Sequence, residues 1–147
     1  MDIMIRIITD TTDPMLDFVR DDPVRPEIPR EFRVAANRFV AALVDGEVRA
    51  MVCVSLQHAV PTEVDELGDA EPAPTCAVFY TIWSYAAGAG ARLLFDTVAE
   101  IQQRWPTVTR YVTLSPQTDT AHRFHTRNGA QIYRVNPTTV NYEYAAG

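Results

Sequence analysis

The stretch SYAAGAGARLLF, residues 84–95, places two glycines one residue apart where an apolar run gives way to a helical pattern. Upstream, CAVFYTIWSY (76–85) is nearly continuous in hydrophobicity and rich in aromatics, which reads as a central strand covered on both faces. Downstream, Ala91, Leu94, Phe95, Val98, Ile101 and Trp105 recur at helical spacing. Arg92, Asp96, Glu100 and Gln103 fall on the opposite side, and Pro106 ends the helix. A strand that feeds straight into a helix leaves free amides at the helix start. Together with the helix dipole they attract an anion such as a phosphate. Gly88 and Gly90 keep bulk away from such a ligand and permit positive φ, and Ala86, Ala87, Ala89 and Ala91 keep the surroundings small. The same spacing also suits a tight turn or close helix–strand packing. It is not a Walker loop, because no Gly-Lys-Ser/Thr follows, and it lacks the third glycine of a dinucleotide fingerprint.

Working outward, residues 3–9 read as a strand. Asp13 and Pro14 look like an N-cap and first helical position, with Met15, Leu16, Phe18 and Val19 as an apolar stripe. DDPVRPEIP breaks this helix, and a second short one covers about 30–37. Residues 39–57 carry a hairpin signature with its turn at Asp45-Gly46. In its second strand Val48, Ala50, Val52, Val54 and Leu56 share one face, and Arg49, Met51, Cys53 and Ser55 the other. After the central helix come a strand at 110–115, a capped helix at 118–129 closed by Gly129, and two final strands. The order β-α-α-β-β-β-α-β-α-β-β predicts an α/β (α+β) mixed sheet with helices on its faces.

The 147 residues suit a single domain spanning 1–147, and the 47% hydrophobic content predicts a globular core. A net charge of −6 argues against nucleic acid or an anionic membrane as the main partner. Glu63, Asp65, Glu66, Asp69 and Glu71 form an acidic run, either a solvated loop or a collar for a cationic partner. Cys53 and Cys76 are too few for a disulfide framework and suit no zinc site, so buried thiols are expected. No signal peptide or membrane-spanning helix is apparent, which makes a cytoplasmic location the expectation.

The element order and the motif Tyr85-Ala86-Ala87-Gly88-Ala89-Gly90 resemble the GCN5-related N-acetyltransferase (GNAT) family, which carries Q/R-x-x-G-x-G/A between its fourth strand and third helix. Ala121, Phe124 and Gly129 keep the places of a second family pattern, N-x-x-A-x-x-(F/L)-Y-x-x-x-G-F. The resemblance implies a GNAT fold and acetyl-CoA or CoA as cofactor. It implies that the amides of Ala86, Ala87, Gly88, Ala89, Gly90 and Ala91 hold the pyrophosphate, and that Ile82, Trp83 and Ser84 pair with the pantetheine arm. The thioester would lie between 80–84 and 111–115, and acyl transfer to an amine would be direct. Arg92 and the basic segment His122, Arg123, His125 and Arg127 are either counter-charges for the phosphates or an exposed helix face.

Three positions depart from the family pattern. Tyr85 replaces Gln or Arg, Ala130 replaces an aromatic, and His125 stands where relatives commonly place a proton-donating tyrosine. A histidine titrating near neutrality is an alternative donor; otherwise His125 is a surface or cofactor-contacting residue. The fourth strand has no carboxylate to act as base, and Glu63, Asp65 and Glu66 precede it. These departures, and a likeness to small acetyltransferase-like proteins of some tailed phages, keep a second reading open: a cofactor-binding accessory protein that modulates a host enzyme. The acceptor amine is undefined, and an exposed terminal strand edge invites pairing across a homodimer.

Overall fold

The computed structural model describes residues 3–145. One eight-stranded sheet organises it. Its strands are β1 (Met4–Ile8), β2 (Arg38–Asp45), β3 (Glu47–Gln57), β4 (Cys76–Ser84), β5 (Arg110–Thr113), β6 (Ser115–Pro116), β7 (Gln131–Val135) and β8 (Thr139–Tyr144). They lie in the order β1-β2-β3-β4-β5-β8-β6, with β7 on the outer edge of β8. All neighbours are antiparallel except β4 and β5, which run parallel because the helix α1 (Ala89–Arg104) crosses between them. A second helix, α2 (Asp119–Arg127), links β6 to β7. No described helix is long and apolar enough to cross a membrane.

Each face of the sheet has its own core. On one face α1 buries Leu93, Leu94 and Ile101 against Ala41, Val52, Val54 and Phe79. The other face is covered by residues 14–34, where Leu16, Val19, Ile28 and Val34 pack on Val40, Met51, Val78 and Tyr80. We refer to this covering segment as the strap.

The strap corrects the predicted helices. Asp13 does cap, accepting the Met15 amide at 2.9 Å, and Pro14 does open the element, but Pro14–Asp21 is a 3-10 helix. The buried positions explain why: Leu16, Val19 and Asp22 repeat every three residues, the period that aligns side chains in a 3-10 helix. The second helix shrinks to Arg30–Phe32, because Arg33 turns inward and Ala35 already bridges to Arg38.

Two other readings shift. Val48 packs on the strap face, away from Ala50, Val52, Val54 and Leu56. A bulge pairs Leu43 with Ala50 but Val44 with Val48, so the extra residue Arg49 flips the alternation. The inward stripe of α1 is rotated: Leu93 and Thr97 are fully buried, whereas Phe95 is 47% exposed and meets Tyr144 edge-on at 6.0 Å. The strand expected at 110–115 is interrupted at Leu114, and β8 pairs with both pieces. Cys53 and Cys76 are free and buried as expected, and burial pushes both thiols up to about 12.

Candidate active site

β4 and β5 begin as an ordinary parallel pair and then part. Their ladder runs from Cys76 and Arg110 to Phe79 and Thr113, and the Leu114 amide makes a last bond to the Phe79 carbonyl at 3.0 Å. One residue later β4 bulges: Val54 faces Phe79 while Cys53 faces Thr81, leaving Tyr80 as the extra residue. From Tyr80 onward β4 has no strand partner on its β5 side among the described residues. The gap opens into a cavity of about 620 Å³.

Phe79–Ser84 form one wall, and Leu114, Ser115 and Pro116 form the other. Ala121, Phe124 and His125 of α2 line it, together with Gly90 of α1 and, from the strap, Pro23 and Val24. Among the described residues no carboxylate contributes to the lining. Glu63, Asp65 and Glu66 do not reach it. Their loop is fastened elsewhere, by Asn141 Nδ2 on Pro61 O at 2.9 Å and Thr139 Oγ1 on Thr62 O at 2.6 Å.

Ile82, Trp83, Ser84 and Gly90 line the cavity as a group. Gly88 caps α1 with a φ of 77°. The amide of Ala89 is used by the Ala86 carbonyl at 3.2 Å and that of Arg92 by Gly88 at 3.2 Å. Among the described residues the amides of Ala86, Ala87, Gly88, Gly90 and Ala91 have no backbone acceptor. A Cβ built on Gly90 would stand 3.5 Å from the Phe124 ring and 3.8 Å from Ser84 Cβ, in ordinary contact with α2 and β4. These features fit a diphosphate and the thin arm attached to it. Arg92 is exposed and pairs with Asp96 at 3.6 Å, so it stands beside the cradle already engaged.

A Cβ on Gly88 would meet nothing within 4 Å, so only its backbone conformation demands glycine. Gly88→Ala is expected to cost about 1–2 kcal/mol through left-handed strain. Urea denaturation checks this, and unchanged stability would show that the helix start tolerates another conformation.

Tyr85 does not point into the cradle. Its hydroxyl accepts from Trp83 Nε1 at 3.0 Å and donates to Asp21 Oδ2 at 2.8 Å, tying the end of β4 to the strap. Trp83 is thereby both a buried packing residue and part of the cavity wall.

His125 is separated from its basic neighbours: His122, Arg123 and Arg127 lie exposed, while His125 is 4% exposed. Its ring stacks on Tyr142 at 5.0 Å and meets Phe124 edge-on at 5.1 Å. Nδ1 lies 2.7 Å from the Tyr144 hydroxyl. Burial lowers its pKa to about 4, which overturns the expectation of near-neutral titration; at pH 7 the ring is uncharged. Burial raises the pKa of Tyr144. Tyr144 was not distinguished in the sequence, because only the return of β8 beside α2 brings it to His125.

No family model and no curated protein matches the sequence. Solved structures do match. An acetyltransferase of the GNAT family from Desulfovibrio desulfuricans superposes with a TM-score of 0.67 at 14% identity, covering 99% of this chain and 100% of that one. The fold is that of the GNAT acetyltransferases. Arabidopsis thaliana NAA60, solved in complex with acetyl-CoA, shares the GNAT fold with a TM-score of 0.61 at 17% identity over 97% of this chain and 96% of that one. Malonyl-CoA decarboxylase from Agrobacterium vitis superposes with a TM-score of 0.82 at 17% identity. It covers 97% of this chain, which spans 60% of that protein's length. At these identities the likeness is one of fold, and the chemistry has to be argued from the site.

Proposed function

We propose that this protein is an acyl-CoA-dependent N-acyltransferase that uses acetyl-CoA and passes the acyl group directly to an amine. The observation that carries this reading is the parting of β4 and β5 into a cavity whose mouth adjoins the glycine-capped start of α1. Bound acyl-CoA would supply an activated thioester carbonyl. The amides of Ala86, Ala87, Gly88, Gly90 and Ala91 would hold its diphosphate, and the edge of β4 that faces the gap at Ile82, Trp83 and Ser84 would hydrogen-bond its arm. The cavity is lined largely by apolar side chains, which suits that arm.

His125 and Tyr144 act as a pair in this reading. With Tyr144 donating to Nδ1, the ring hydrogen sits on Nε2. An uncharged imidazole then offers a fixed N–H hydrogen bond to the sulfur as it leaves, and the proton shed by the nitrogen as the amide forms balances the one the thiolate takes up. Among the described residues the wall holds no carboxylate to take the acceptor's proton. The amine therefore has to lose it to solvent before attack.

Thermal unfolding with coenzyme A tests the reading. At a hundred times its dissociation constant a ligand adds roughly 2.7 kcal/mol, a rise of about 5–10 °C for a chain of this size. No shift with coenzyme A or acetyl-CoA would end the proposal. Thiol release over a panel of amines tests turnover, and binding without release would favour an accessory protein that keeps the cofactor.

A further inference from the structure

Where the β4–β5 ladder stops, two carbonyls are left facing the gap, Tyr80 O on one wall and Leu114 O on the other. Two acceptors cannot bond each other. One side chain occupies both: Arg25 donates from Nε to Tyr80 O at 2.9 Å and from Nη2 to Leu114 O at 3.0 Å. It belongs to neither strand. It comes from the strap, 55 residues before Tyr80 and 89 before Leu114.

The backbone of Arg25 is itself fixed on both sides. Its amide donates to Asp22 Oδ1 at 3.0 Å, and its carbonyl accepts from Arg33 Nη2 at 2.8 Å. Asp22 Oδ1 also accepts from Thr81 Oγ1 at 2.8 Å, so the base of the side chain is anchored to the same bulged strand that its tip binds. Pro23 and Val24, immediately before it, line the cavity.

We propose that Arg25 is a positioning residue that sets the width of the β4–β5 gap and thereby the fit of the coenzyme arm. A guanidinium suits this task because its donors form a rigid planar fork, so two acceptors bound through Nε and Nη2 stand at a fixed separation. An ammonium is a point donor on a flexible stem and cannot span both walls in one geometry. The inference rests on the acyl-CoA reading above for its ligand, but the clamp itself exists without one.

Arg25→Met, which keeps the stem and removes the donors, and Arg25→Lys, which keeps the charge, test it. Both are to be compared with wild type by coenzyme A titration, by steady-state kinetics with acetyl-CoA, and by hydrogen exchange of the unliganded protein. In Arg25→Met the Kd for coenzyme A is expected to rise about tenfold, because binding must then also order a gap that Arg25 no longer holds. KM for acetyl-CoA should rise with it while kcat stays nearly unchanged. Amides of 80–84 and 114–115 should exchange faster, with β2 and β3 as protected as before, and Arg25→Lys should not restore any of these. Unchanged affinity and exchange in Arg25→Met, or full rescue by lysine, would overturn the proposal. If Arg25→Met proves too unstable to purify, Arg25→Gln leaves one donor, and wild-type affinity in that variant would overturn it equally. Should wild type bind no coenzyme A, the functional reading falls, and exchange in the unliganded variants still decides whether Arg25 holds the gap.

Discussion

Arg33→Met is expected to destabilise the protein by about 3–5 kcal/mol, as loss of one partner does for a buried ion pair. Arg33 and Asp22 are both 0% exposed and meet at 2.7 Å. Every polar atom of the pair is used. Arg33 donates to Ile28 O at 3.1 and 2.9 Å and to Arg25 O at 2.8 Å. Asp22 accepts from the amides of Val24 and Arg25 and from Thr81 Oγ1. Removing the arginine strands a carboxylate away from water, where its desolvation is no longer offset. In a chain of this size the loss corresponds to a fall in Tm of roughly 10 °C or more. The double variant Asp22→Asn/Arg33→Met should lose less than the two single losses added together, because no charge is then left unpaired. A single-variant loss under about 1 kcal/mol would show that the pair is hydrated in solution, since exposed pairs contribute no more than that.

A second large effect is expected on acidification. In the unfolded chain His125 titrates near 6.5, whereas in the folded protein burial lowers it to about 4. Between these values the unfolded state binds more protons, so stability falls as pH falls. The contribution is complete above pH 6.5 and is lost progressively towards pH 4, amounting to about 3 kcal/mol. His125→Phe keeps an aromatic ring against Phe124, Tyr142 and Tyr144 and removes the titration. Urea denaturation at pH 7.5 and pH 4.5 should show a smaller loss in the variant than in wild type. Equal losses would place the ring in contact with water. Because the imidazole is uncharged throughout the neutral range, any acid limb of turnover between pH 6 and 7 belongs to another group.

The parts of the molecule that were legible in the sequence are those set by neighbours along the chain. The glycines at 88 and 90 announce the start of α1, the alternating residues of β3 announce a strand, and Thr118 announces the cap of α2, where its hydroxyl accepts the Ala121 amide at 3.2 Å. What stayed hidden depends on partners far away in sequence. DDPVRPEIP reads as a charged, proline-rich interruption, yet it holds Asp22 and Arg25, whose partners include Thr81, Tyr80 and Leu114. Nothing local marks those charges as partnered across the fold. Tyr85 reads as a weakened cradle residue, because Asp21, which turns its hydroxyl away, lies 64 residues earlier. Likewise, His125 sits among three exposed basic or titratable neighbours, and only the arrival of β8 reveals it as the inward member.

The burial of Cys53 and Cys76 bears on chemical self-protection. A catalyst that handles thioesters risks acylating itself, on sulfur or on side-chain nitrogen. Here both thiols are walled off and stay protonated, with pKa values of about 12. The thirteen basic residues are all arginines; the sequence holds no lysine. Such a molecule offers a reactive acyl donor neither of its two described thiols nor an ε-amino group.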